Sequence, residues 1–124
     1  VKTAVKMGVR DALHQMAELA AGGVYLKAGS LSGFKPEGGW RPYEFGEMPS
    51  DWIEVLRKHA GSGLRYVVYS YDTPIAWHRA NGVWVIPDHF YNPTTRQHQY
   101  GCRAAAGHEE FTKLPELSAV EVGK

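Results

Sequence analysis

Three histidines, His78, His89 and His98, share one stretch of the chain with two arginines, Arg96 and Arg103. An imidazole gives or takes a proton near neutral pH, and a guanidinium holds a phosphate through paired donors. A small ribonuclease could be built from such a set. No motif ties these imidazoles into a dyad, however, and Asp72 and Asp88 read as turn residues rather than catalytic carboxylates. His98 and Cys102 stand four apart, so one helical face could aim both at a metal ion, with His78 or His89 completing the set. No second ligand pair lies nearby in the sequence, so neither a metal nor a cofactor is expected. Ser70 and Cys102 lack a partner motif for nucleophilic catalysis. The glycines of residues 28–49 lack the Walker spacing with its Lys and hydroxyl. These residue types favour a binding protein over an enzyme.

The densest polar constellation is Asn92-Pro93-Thr94-Thr95-Arg96-Gln97-His98-Gln99. Asn caps free amides and Pro fits the first turn, so a helix starts here. Its terminus offers N–H groups and the positive end of the helix dipole to a phosphate or to a partner's carboxylate. Thr94, Thr95, Arg96, His98, Gln99 and, further along, Arg103 are the candidate binding residues. The competing reading is structural: Asn92 and Thr95 cap the helix, and His98 bonds to the sheet backbone. Arg79 and Trp84 add a second candidate pair. If Asn81-Gly82 closes a two-residue hairpin, Arg79 lies opposite Trp84, His78 opposite Val85 and Trp77 opposite Ile86. Arg79 over Trp84 would be a surface cation–π contact. Arginines also interleave with Tyr66, Tyr69, Tyr71, Trp77 and Trp84, a composition that suits single-stranded bases. No recognised nucleic-acid signature accompanies it, and the same rings could pack beneath helices.

The elements that must position these groups follow from periodicity. Val5, Val9, Leu13, Met16 and Ala20 recur at helical spacing and predict a helix over residues 3–21, with its firm part from about residue 10 because Gly8 weakens the start. Gly22-Gly23 stops it. Residues 24–26 read as a short strand. Residues 28–49 carry many Gly and Pro, with short strands expected at 31–34 and 42–45; recurring Phe34, Trp40, Tyr43 and Phe45 favour a packed loop over a mobile one. Residues 49–60 form the second helix, with Pro49 at its first position and Arg57, Lys58 and His59 near its C-terminus. Residues 65–71, 75–79 and 83–86 are strands, with a turn at Asp72-Thr73-Pro74. The last helix runs from Asn92 to about residue 106, and Gly101 lies inside it. The expected fold is α+β, an antiparallel three-stranded meander with two or three helices packed on one face. Residues 1–107 make one domain and 108–124 an extended or disordered tail.

The chain has 124 residues and a net charge of +1, enough for one domain and too weak a field to bind nucleic acid through bulk charge. Four Trp and seven Tyr are more rings than so small a core readily hides, so some belong to a contact surface. The single cysteine, Cys102, excludes an internal disulfide and suits the cytoplasm. No apolar run approaches a membrane span, so no membrane is expected.

Tyr69-Ser70-Tyr71-x-Thr73-Pro74-Ile75-Ala76-Trp77, then Trp84-Val85-x-Pro87, then Tyr91-x-x-Thr94-Thr95-x-x-His98-Gln99 resembles a family of small uncharacterised proteins of actinobacteria and their phages, mycobacteriophages especially. Upstream, Gly46-Glu47-Met48-Pro49-x-x-Trp52 resembles that family's Gly-x-Leu-Pro-x-x-Trp, with Met48 in place of Leu, and Asn92 stands where the family often has Ser. The likeness covers about residues 29–103. It implies no activity; it implies a phage or actinobacterial origin and a host-directed interaction. The expected function is that of a non-enzymatic phage-type accessory protein in the host cytoplasm, binding a host protein first. A nucleic-acid-binding protein or a ribonuclease-like toxin is the alternative.

Overall fold

The computed structural model describes residues 3–114. Its centre is the strand β4 (Leu64–Ser70), paired antiparallel to β5 (Thr73–Arg79), which pairs in turn with β6 (Trp84–Val85). On its other side β4 pairs with β3 (Leu31–Phe34), and beyond it lie β2 (Leu26–Ala28) and β1 (Val5–Lys6), the last parallel to β2. The expected three-stranded meander is therefore half of a six-stranded mixed sheet in the order β1-β2-β3-β4-β5-β6. The strand expected at 31–34 is β3, the one expected at 24–26 lies two residues later as β2, and β1 was read as helix; at two to four residues these runs are too short for a period of two to show that they extend the sheet. Val5–Lys6 belongs to β1 and not to a helix, so the first helical segment starts later than residue 3. No strand forms at 42–45.

Two short helices, α1 (Val9–His14) and α2 (Met16–Ala21), carry the chain from β1 to its parallel neighbour. Helix α3 (Ser50–Gly61) precedes β4, and α4 (Pro93–Ala106) follows β6. They do not share one face of the sheet. Ala12, Met16 and Leu19 of α1 and α2, with Cys102 of α4, join Leu26, Leu31, Tyr66, Val68 and Ile75 in one core. Trp52, Val55 and Leu56 of α3 join Val67, Tyr69, Trp77 and Val85 in a second. Consecutive β4 side chains alternate between these cores, so both faces of the strand exclude water and its sequence reads as an unbroken apolar run.

Both turns of the β4–β5–β6 meander differ from expectation. The first is Tyr71-Asp72, so that Thr73 and Pro74 already lie in β5. Pro74 has no N–H to donate and sits beside a register shift between Val68 and Tyr69, which puts Ile75 and Ala76 together in the first core. The second turn is one residue longer than predicted. Arg79 N–H donates to Val83 O at 2.8 Å, Gly82 N–H returns to Arg79 O at 2.9 Å, and Gly82 takes φ +90°. That is a three-residue loop with glycine in the left-handed position. Every pair consequently slips by one, to Trp77 opposite Val85 and His78 opposite Trp84.

Candidate functional site

Helix α4 starts as its residues dictate. Asn92 Oδ1 accepts from Thr95 N–H at 2.8 Å, and Pro93 occupies the first turn. Thr95, His98, Gln99 and Cys102 then point inward and are buried. Ser70 Oγ on β4 lies 3.0 Å from Thr95 Oγ1 and 2.8 Å from His98 Nδ1, while Gln99 Nε2 donates to Pro87 O at 2.9 Å. Three of the six candidate residues on this helix are thus engaged with the sheet and its flank. His98 does meet the sheet, through a serine hydroxyl instead of the backbone. A serine within hydrogen-bond reach of an imidazole resembles a nucleophile and its base. Here Ser70 is 1 % and His98 3 % exposed, so no substrate reaches the pair. Burial lowers the His98 pKa and pushes the Cys102 thiol up to about 12, so the imidazole is neutral and the thiol protonated at physiological pH. Among the described residues no group of three or more His, Cys, Asp or Glu could hold a metal ion.

The outer face of α4 is different. Thr94, Gln97 and Tyr100 are exposed, and Arg96 and Arg103 are half-buried. The residues after α4 return beneath them. Thr112 bridges to Pro87, and Thr112 N–H donates to Ile86 O at 2.8 Å. This brings Phe111 under both arginines, with Arg96 Cζ 4.5 Å and Arg103 Cζ 4.7 Å from its ring centre. Arg103 also lies 5.2 Å from the centre of Tyr100, and Arg96 5.8 Å from that of Phe90. Phe90 is 57 % and Tyr100 44 % exposed. Asp88 stands 3.8 Å from Arg96, loose for an ion pair. Phe90 and Phe111 escaped the sequence reading because neither belongs to a periodic segment. The expectation for residues 115–124 lies outside the described residues.

Arg79 does not cover Trp84. With the slipped register, His78 stacks on Trp84 at 4.6 Å and 10°, and Trp84 is half-buried against the first core. His78 also bonds to Gly82 O at 3.0 Å. The pair closes the hairpin end rather than presenting a free ring.

A cleft of about 700 Å³ lies on the second-core face, where α3 leaves β2 and β3 uncovered. Its floor includes Lys27, Ser32, Phe34 and Tyr69, adjacent across β2, β3 and β4. The loop 35–49 forms one wall, and it is packed as its rings suggested. Trp40 meets Phe34 edge-on at 5.5 Å, Phe34 stacks on Tyr69 at 6.0 Å, and Tyr69 OH donates to Glu44 O at 3.3 Å. Tyr43 on this wall is 84 % exposed and Tyr71 at the rim 60 % exposed. The recurring aromatics marked the loop in the sequence, but nothing there placed it over β3.

These features define a three-layer α+β domain with two ring-bearing surfaces, one on the outer face of α4 and one across β2 and β3. The chain belongs to the DUF8033 family, a family of unknown function, which it matches over residues 17–114. That span includes β2 to β6, α3 and α4, and so both surfaces. No curated protein and no solved structure matches the chain. Among the described residues no helix is long and apolar enough to cross a membrane.

Proposed function

We propose that this is a non-enzymatic accessory protein that binds a host macromolecule, a host protein first, through the outer face of α4. The observation that carries the reading is the pair of guanidinium groups held over Phe111 between two exposed rings, Phe90 and Tyr100. Aromatic rings and Arg dominate the energetic centres of protein interfaces. Stacking on Phe111 pre-orders both arginines, so less side-chain freedom is lost on binding. The complementary partner surface carries carboxylates, because Asp88 answers one guanidinium only loosely. The TPIAW and TTxxHQ resemblance adds the phage or actinobacterial setting, in which the partner belongs to the host.

The test is affinity capture from actinobacterial lysate, with and without nuclease, followed by direct titration of the captured protein. One partner should survive nuclease treatment and lose at least about tenfold in affinity on Tyr100→Ala or Arg103→Ala, the loss expected at an interface centre. Capture that disappears with nuclease, or titration indifferent to both substitutions, overturns the reading.

A further inference from the structure

We infer that the cleft over β2 and β3 binds single-stranded nucleic acid, at a surface separate from the α4 face. Three observations converge there. The first is rings with free faces: Tyr43 and Tyr71 are 84 % and 60 % exposed and line the cleft together with Trp40 and Phe34. Rings of this kind stack on bases, and a base face is free only when the strand is unpaired.

The second is charge. Lys6 pairs with Lys27 across β1 and β2, so their side chains leave the same face of the sheet, and Lys27 and Lys35 both line the cleft. All three are exposed. The Lys35 stem lies against Gly23, just before β2, and Glu37 and Glu44 of the loop also line the cleft. A backbone of phosphates fits along the lysine side while its bases turn toward the rings.

The third is Tyr71 itself. It is the one non-glycine residue with positive φ among the described residues, at +57°, and its N–H is held by Ser30 O at 2.7 Å. A bulky side chain is disfavoured in that conformation, and strain of this kind concentrates at ligand sites. The fold keeps a ring at the rim where glycine would be the easier choice.

That strain makes a clean test possible. Tyr71→Gly removes the ring while suiting the backbone, so its urea midpoint should equal or exceed that of the parent. Binding of fluorescent 12-residue DNA and RNA single strands is measured by anisotropy in 50 mM salt and upward. The parent should bind a strand of mixed sequence, and log K should fall with log salt at a slope near −2, from three lysines at about 0.7 each. Tyr71→Gly and Tyr43→Ala should each weaken binding about tenfold, within the range of one lost stack. Lys27→Ala should flatten the slope by about 0.7. Arg103→Ala should bind the strand as the parent does, which separates this site from the proposed protein-binding face. No binding by the parent, equal affinity for duplex, full competition by an equimolar mononucleotide, or loss on Arg103→Ala in place of Tyr71→Gly each overturns the inference.

Discussion

Trp77 is fully buried, and its indole N–H donates to His59 Nδ1 at 3.0 Å, a bond that requires that nitrogen to be unprotonated. Burial first, then the nearby Arg79 and Lys58 charges, lowers the His59 pKa from 6.5 to about 4. The folded chain therefore keeps this imidazole neutral where the unfolded chain already takes up a proton. Stability contributed by this group is complete above pH 6.5 and falls as pH drops toward 4. The urea midpoint should decline across that window, and His59→Gln, which keeps an acceptor without the titration, should decline less steeply. His98 and His78, whose pKa values burial also lowers, leave a residual slope in that variant. At this scale the sequence was partly readable. The Asn92 cap is a local signal, since donor and acceptor are three residues apart. Ser70 with Thr95 and His98 is not, since the partners come from different elements and no spacing announces them.

Helix α4 shows what a single glycine does for an element. A β-carbon on Gly101 would stand 2.6 Å from Leu13 Cδ2 and 2.9 Å from Leu13 Cβ, so the bare backbone is what lets α1 approach. On an exposed helix Gly→Ala gains about 1 kcal/mol. Here the clash outweighs it, and Gly101→Ala should lower stability by about 1–2 kcal/mol, as overpacking does. Adding Leu13→Ala should remove most of that specific penalty, read as the coupling term of a double-mutant cycle in urea. The glycine was visible in the sequence as a weakness in the helix, while its reason lies in a partner some ninety residues away in the chain. The same limit hid β1. Val5 fits a helical stripe, and only its pairing with Leu26, across the α1–α2 crossover, makes it a strand residue. The hairpin was legible as an element but not in register, because Asn-Gly suits both a two-residue loop and the three-residue loop found.

The whole molecule is a sheet between two separate cores, and β4 records this: Tyr66 and Val68 enter one core while Val67 and Tyr69 enter the other. That unbroken run was the available sign that helices flank both faces. Damage to one core should then pass little to the other. Ile75→Val on one side should cost about 0.5–1.5 kcal/mol and Leu56→Ala on the other about 2–5. The pair should add to within about 0.5 kcal/mol in chemical denaturation. Edges have consequences of their own. Ile86 N–H donates to Thr112 Oγ1 at 3.0 Å and Asp88 N–H to Thr112 O at 2.7 Å, so the run beyond β6 is already paired by the returning chain. At the far margin β1 is only two residues long and carries Lys6. Among the described residues a foreign strand finds no long, flat row of free amides at either place, which guards this ring-rich sheet against stacking with its own copies into fibrils.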